Sequence, residues 1–274
     1  MGASRMALFG DVVVPGAEAV DPYHLPPPSA WLALTEPQRM ALEVLSLASV
    51  RRLLSNLAPG DGHPVMVLPG FLGSDGYNAT LRRFLKSLGY RVYGWGQGQN
   101  LGPRGETLDN LMDRVAMLED RYGQSVSLIG HSLGGIFARE IAREAPSRVR
   151  QVISLGSPFG RGRHSGSYPA RLFEALNPTD DLPVALDDLH RAPPVPTTAV
   201  YSKGDGIVNW RTSFQNPDFA HGATQNIQVR GSHCGMTLNP TVWYVIADRL
   251  RQTVEDWQPF SASGLANVVV PKHA

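Results

Sequence analysis

The chain has 274 residues, 42% hydrophobic and 18% charged, with a formal net charge of +1. That is the makeup of a folded protein with one large core, and it leaves no electrostatic footprint for nucleic acid. A single cysteine, Cys234, excludes an internal disulfide, and no apolar run approaches the ~18 residues that cross a bilayer.

Met1 to Val20 are interrupted by Arg5, Asp11, Pro15 and Glu18 and lack the apolar core of a signal peptide. The cytoplasm is the expected compartment. With no linker dividing it, residues 1–274 read as a single domain, with an N-terminal helical extension over 1–60 and an insertion over 157–197. Residues 1–34 carry Pro26-Pro27-Pro28 and are expected to be irregular. Thr35, Pro37 and Gln38 then form a start signal, with Thr35 capping and Gln38 completing a capping box. From Met40 to Leu57 apolar residues occupy nearly every side of the expected helix. Such a helix is buried or docked on something; burial against a sheet is the expectation, with a dimer contact or a lipid surface as alternatives.

Pro64 to Leu68 reads as a short buried strand that runs into Pro69-Gly70-Phe71-Leu72-Gly73. A helix over Asn78 to Leu88, a strand over Tyr90 to Tyr93 and a helix over Leu108 to Arg121 follow. The next strand, Val126 to Ile129, leads into Gly130-His131-Ser132-Leu133-Gly134 and a helix that Pro146 stops. Val149 to Leu155, Thr198 to Tyr201 and Asn226 to Val229 complete the strands. The last helix begins at Asn239-Pro240 and runs through Leu250. This alternation predicts a parallel sheet with helices on both faces. The rhythm breaks after Gly156-Ser157-Pro158. Residues 157–197 hold many prolines and glycines and two short helices, near Arg171 to Leu176 and Leu182 to Leu189. An irregular insertion of that length reads as a lid or cap.

Gly130 to Gly134 fit G-x-S-x-G, a sharp strand-to-helix turn that holds a serine clear of its neighbours. Ser132 is the candidate nucleophile. It needs a histidine to take its proton and an acid to fix the histidine tautomer, in the order serine, acid, histidine, each after a strand. Asp205 follows the strand ending at Tyr201, and His233 follows the last strand. Asp180, Asp181 and Asp248 are weaker acids for this role, and His63, His164 and His190 weaker bases. His131, within the elbow, is expected to point aside. Two backbone donors are needed for an oxyanion, and the N–H groups of Leu133 and Phe71 are the candidates. Trp95, in the loop after the second strand, either lines the pocket or is buried as a structural tryptophan.

Leu-Pro-Gly-Phe, Gly-His-Ser-Leu-Gly-Gly, Gly-Asp-Gly-Ile-Val and Gly-Ser-His-Cys-Gly, between Pro64 and Leu250, resemble a bacterial serine esterase or lipase of the α/β-hydrolase superfamily. The resemblance implies an α/β-hydrolase fold, and the N-terminal helical segment in place of early antiparallel strands implies a reduced sheet of about six strands. The secretion signal, disulfide and calcium site of compact bacterial lipases are not recognisable here. The expected activity is carboxylic ester hydrolysis through an acyl-enzyme, on a small-molecule acyl ester or lipid. Acyl transfer, thioester hydrolysis and amide hydrolysis would use the same residues, and a non-catalytic binding module is a further alternative. No metal or organic cofactor is expected. The acyl group is expected against Leu72, Trp95, Phe159, Phe173, Ile207 and Met236.

Overall fold

A computed structural model of the chain describes residues 25–160, 166–177, 188–253 and 256–261. His164, Asp180, Asp181 and nearly all of the expected 182–189 helix lie outside the described residues. Two helices come first, α1 (Ala30–Leu34) and α2 (Glu36–Leu54). Then β1 (Pro64–Leu68), α3 (Ala79–Ser87), β2 (Arg91–Gly94), α4 (Thr107–Tyr122), β3 (Val126–His131), α5 (Leu133–Glu144) and β4 (Val149–Leu155) alternate. The short α6 (Ala170–Leu176), β5 (Thr197–Tyr201), β6 (Thr224–Gln228) and α7 (Pro240–Leu250) complete the order.

The six strands form one sheet in the order β2-β1-β3-β4-β5-β6, and every pair is parallel. A parallel sheet needs both faces covered, so its inner strands are apolar without alternation. Val65 and Val67 of β1 face one way, into a core shared with Leu81 and Leu85 of α3 and Val242 and Ile246 of α7. Met66 and Leu68 face the other way, onto Leu111 and Val115 of α4 and Phe137 and Ile141 of α5. The chain steps from β1 outward to β2 and then crosses back to β3, which leaves a switch point between β1 and β3. Ligand sites of open α/β sheets form outside the carboxyl ends of the strands at such a point.

The N-terminal segment differs from expectation in three ways. Ala30–Leu34 is helical, not irregular. Thr35 makes no side-chain cap for α2; its hydroxyl donates back to the carbonyl of Trp31 at 2.8 Å, because α1 runs almost directly into α2. Only some of the leucines of α2 bury as expected: Leu47 and Leu54 join the core that includes Val65 and Val67, and others face outward. The residues of α2 that bury are Glu36, Glu43, Leu47 and Leu54, whereas Leu42 and Leu45 are 62% and 66% exposed. The inward face of the first turns carries two carboxylates, which turns those two leucines outward.

Trp243 of α7 ties this architecture together. It is 1% exposed, stacks on Phe84 of α3 with ring centroids 4.3 Å apart, and donates from Nε1 to the carbonyl of Thr237 at 2.8 Å. Trp243→Ala removes the stack and leaves that carbonyl unpaired. Urea unfolding is expected to read a loss of about 3–5 kcal/mol.

Candidate active site

The elbow is built from backbone contacts. Ser132 has φ 52° and ψ −122°, a left-handed conformation that non-glycine residues avoid. Its N–H donates to the carbonyl of Leu155 on β4 at 2.8 Å, and its carbonyl accepts from Gly135 at 3.0 Å. A Cβ on Gly130 would stand 2.3 Å from the backbone of Gly134 and Gly135, and one on Gly134 would stand 2.5 Å from the carbonyl oxygen of Leu68. The first glycine lets α5 fold back onto β3, and the second lets α5 pass the end of β1.

Asp205 and His233 meet beside this turn. His233 Nδ1 lies 2.6 Å from Asp205 Oδ2. The other carboxylate oxygen of Asp205 accepts the N–H groups of Ile207 at 2.9 Å and Val208 at 2.7 Å, so the turn that follows β5 aims the acid. Asp205 is 3% exposed and His233 5% exposed. Burial pulls the His233 imidazole down. The charge of Asp205, its hydrogen bond and the charge of Glu36 outweigh that pull and leave the pKa raised above the ordinary 6.5. Ser132 and His233 line one cavity of about 560 Å³, with Gly70, Phe71, Leu72, Tyr77, Tyr168, Leu172 and Ile207 among its walls. Among the described residues no hydrogen bond joins Ser132 to His233; such bonds are commonly long in a free enzyme and tighten on the substrate.

Two backbone donors flank the serine. The N–H groups of Leu133 and Phe71 donate to no hydrogen bond among the described residues, while their neighbours Leu72 and Gly73 donate to Asn100 and Gly70. Leu133 opens α5, where helix donors are unpaired by geometry. Gly70 makes room for the second arm: a Cβ there would come within 3.0 Å of Ser132 Cβ.

The apolar residues divide. Leu72 and Ile207 line the cavity. Trp95 does not; it is 2% exposed in the core under α4 and donates from Nε1 to the carbonyl of Gly98. Phe159 is fully buried beneath the guanidinium of Arg139, at 3.7 Å. Phe173 packs edge-on against the ring of Phe71 behind the cavity wall. Met236 is fully buried in the core shared with α7. These four side chains are consumed by packing, and Tyr168, Pro169 and Leu172, at and before the start of α6, stand at the cavity in their place.

His131 also departs from expectation. It does not point aside: it lines the cavity, its ring lies 5.0 Å from that of His233, and it stacks on Tyr77. Its Nε2 lies 3.0 Å from the carbonyl oxygen of His233, so the neutral tautomer with the proton on Nε2 donates to the loop after β6. Glu36 and Glu43 reach the same loop. Glu36 accepts the N–H groups of Gly206, His233 and Cys234. Glu43 accepts both the N–H and the hydroxyl of Ser232, and a hydrogen bond from Asn239. Nothing in the sequence marks these two glutamates, because charged residues early in a helix are ordinarily solvated. Burial pushes the Cys234 thiol up to about 12, so it stays protonated at neutral pH. Among the described residues no cluster of His, Cys, Asp and Glu has the makeup of a metal site.

A family model described as alpha/beta hydrolase fold matches residues 63–189. The chain is 28% identical over 162 residues to a triacylglycerol lipase of Burkholderia plantarii, covering 55% of this chain and 43% of that one. It is 31% identical over 129 residues to a triacylglycerol lipase of Pseudarthrobacter phenanthrenivorans, covering 43% of this chain and 38% of that one. The chain thus spans less than half the length of either relative. The crystal structure of a Paleococcus ferrophilus monoacylglycerol lipase shares the fold, with a TM-score of 0.52 and 17% identity over 70% of this chain and 95% of that one. The chain thus has the α/β-hydrolase fold and is similar to lipases that share it.

The buried elbow histidine makes stability depend on pH. Burial, and then the charge of His233, hold the His131 imidazole down to about 3. Unfolded, it titrates near the ordinary 6.5. Between those values the unfolded chain binds a proton that the folded chain refuses, so stability falls as pH drops from about 6.5 toward about 3. His131→Gln keeps a donor near the His233 carbonyl and removes the titration. Urea unfolding across that window is expected to read a slope flatter by up to about 1.4 kcal/mol per pH unit. An unchanged slope would mean that His131 protonates normally in the folded state.

Proposed function

We propose that the chain is a carboxylic ester hydrolase that works through an acyl-enzyme on Ser132. The observation that carries this reading is the 2.6 Å pairing of Asp205 with His233 at the wall of the cavity that Ser132 enters from its strained turn. His233 takes the proton of Ser132 through Nε2 as the hydroxyl oxygen attacks the ester carbonyl carbon. Asp205 holds the proton of Nδ1 and stabilises the imidazolium that forms. The carbonyl oxygen gains charge as the tetrahedral intermediate builds, and the N–H groups of Phe71 and Leu133 stand open to receive it. Collapse breaks the bond to the alcohol, which leaves with the proton from His233. Water, deprotonated by the same imidazole, then attacks the acyl-enzyme and releases the acid.

The cavity supports an apolar acyl group. Phe71, Leu72, Leu172 and Ile207 give it hydrocarbon walls beside Ser132, His131 and His233. An acyl ester or a lipid fits such walls. The segment around α6 then serves as the cap of the 157–197 insertion. No described helix is long and apolar enough to cross a membrane, so a lipid substrate would be met at a surface or in solution.

Nitrophenyl esters from acetyl to palmitoyl test the reading. Hydrolysis is expected, with a chain-length optimum set by the cavity, and Ser132→Ala is expected to abolish it. A Ser132→Ala variant that hydrolyses the esters as fast as the wild type would overturn the assignment. The pH profile of kcat/KM is expected to fall on the acid side as His233 gains a proton, with its midpoint above 6.5 because the imidazole pKa is raised.

A further inference from the structure

The proposed acid and base stand on two separate loops, after β5 and after β6. Among the described residues β6 is an edge strand, paired with β5. A 2.6 Å bond between Asp205 and His233 needs these loops to hold their relative position to within tenths of an ångström, and the sheet alone ties only their roots. Glu36 stands between them. It is 3% exposed, on the first turn of α2. Its Oε1 accepts the N–H of Gly206, the residue after Asp205, at 2.8 Å, and the N–H of His233 at 3.0 Å. Its Oε2 accepts the N–H of Cys234 at 2.9 Å, and Arg39 Nη2 donates to Oε1 at 2.9 Å.

We propose that Glu36 is a positioning residue for this site: one buried carboxylate, carried by a helix outside the sheet, clamps the Asp205 loop to the His233 loop. The inference rests on the reading of Asp205 and His233 as acid and base. Four donors converge on this acceptor-only carboxylate, three on Oε1 and one on Oε2. No neutral side chain of that length does the same. A glutamine would offer one oxygen and would turn an NH₂ group toward backbone N–H groups that are themselves donors. Arg39 holds the clamp in turn, donating also to the carbonyls of Leu32 and Gly204, the latter two residues before Gly206.

The clamp also acts through its charge. Burial raises the Glu36 carboxyl, but the amides of Cys234, His233 and Gly206 and the charge of Arg39 outweigh it, and Glu36 stays ionised. Around His233 stand Asp205 on Nδ1, Glu36 at its own N–H, His131 beside its ring and Cys234 next in the chain. Beyond them lie Tyr77, whose hydroxyl donates to the Cys234 carbonyl, and Glu43 on Ser232. His131 stays neutral, so Asp205 and Glu36 are the two anions nearest the imidazole, and both favour its protonated form.

The test compares wild type, Ser132→Ala, Glu36→Gln and Glu36→Asp on a short nitrophenyl ester, with thermal unfolding of each. Glu36→Gln is expected to lower kcat by about tenfold to a hundredfold with KM little changed, as a displaced catalytic group does. It is also expected to move the acid limb of kcat/KM to lower pH, because an anion near His233 is gone. Glu36→Asp keeps the charge, so its acid limb is expected near that of the wild type while kcat still falls. A folded Glu36→Gln with wild-type kcat and an unmoved limb overturns the proposal. Should Glu36→Gln fail to fold, Glu36→Asp decides alone, and a wild-type kcat there overturns it. The wild type and Ser132→Ala separate the two readings. Loss of activity in Ser132→Ala upholds the triad whatever Glu36 does, and equal activity sinks the triad reading instead.

Discussion

The geometry of the site depends on one backbone conformation, that of Ser132. A residue with a Cβ at φ 52° costs of order 1–3 kcal/mol and persists only where its surroundings over-determine it. Here they do. The N–H of Ser132 is tied to β4, its carbonyl to the first turn of α5, and its Cβ meets the bare backbone of Gly70. Neighbouring backbones can approach because Gly130 and Gly134 carry no side chains. A Cβ on Gly135 would fall 2.0 Å from Ser157 Oγ, so even the residue beyond the pentapeptide is constrained. Relaxing Ser132 would swing its side chain out of the cavity and turn the Leu133 N–H away from it.

The second constraint is the division of labour between sheet and loops. β1 and β3 lie inside the sheet, and the groups they carry, the Phe71 and Leu133 amides and Ser132, are fixed by neighbouring strands. Asp205 and His233 come from the last two strands, where the sheet runs out. The helical segment before β1 makes up the deficit. It lays Glu36 and Glu43 over the loops after β5 and β6, and with them go the burial of α2's inward face and the exposure of Leu42 and Leu45. Composition suggests a helix that hides its leucines, but α2 buries two glutamates, Glu36 and Glu43, alongside Leu47 and Leu54. A carboxylate facing three N–H groups and a guanidinium gains more from that site than a leucine could, since each N–H would otherwise be a buried unpaired donor.

This contrast marks what the sequence could reveal. The strands were legible because a parallel sheet covered on both faces needs short apolar runs, and β4 occupies Val149–Leu155 as the pattern predicts. The elbow turn was legible because its glycines serve local backbone geometry, and chain order singled out Asp205 and His233, which lie 2.6 Å apart. Glu36 and Glu43 were not legible. Their partners lie 170 or more positions away along the chain, and no local pattern distinguishes a glutamate that reaches a distant loop from a solvated one. Trp95, Phe159, Phe173 and Met236 failed for the opposite reason. Each sits close in sequence to a segment proposed as catalytic or as the cap, yet an apolar side chain there is equally suited to the core beneath, and only three-dimensional packing decides. Tyr168 and Leu172 reach the cavity because the segment that opens α6 lies over its mouth.

The electrostatic balance at His233 follows from the same arrangement. Taken alone, burial would depress the imidazole and make it a poor base. Two carboxylates reverse that, Asp205 by its charge and its hydrogen bond to the ring and Glu36 by its charge, and leave the imidazole pKa raised. The second histidine does not undo it, because His131 is buried with its Nε2–H committed to the His233 carbonyl and stays neutral down to about 3. A base is most effective when its pKa lies near the working pH, where it is both deprotonated and still willing to accept a proton. With Asp205 alone opposing burial, the margin would be narrower. The carboxylate on α2 thus links two properties of the proposed base, its position and its basicity, through a single side chain from outside the sheet.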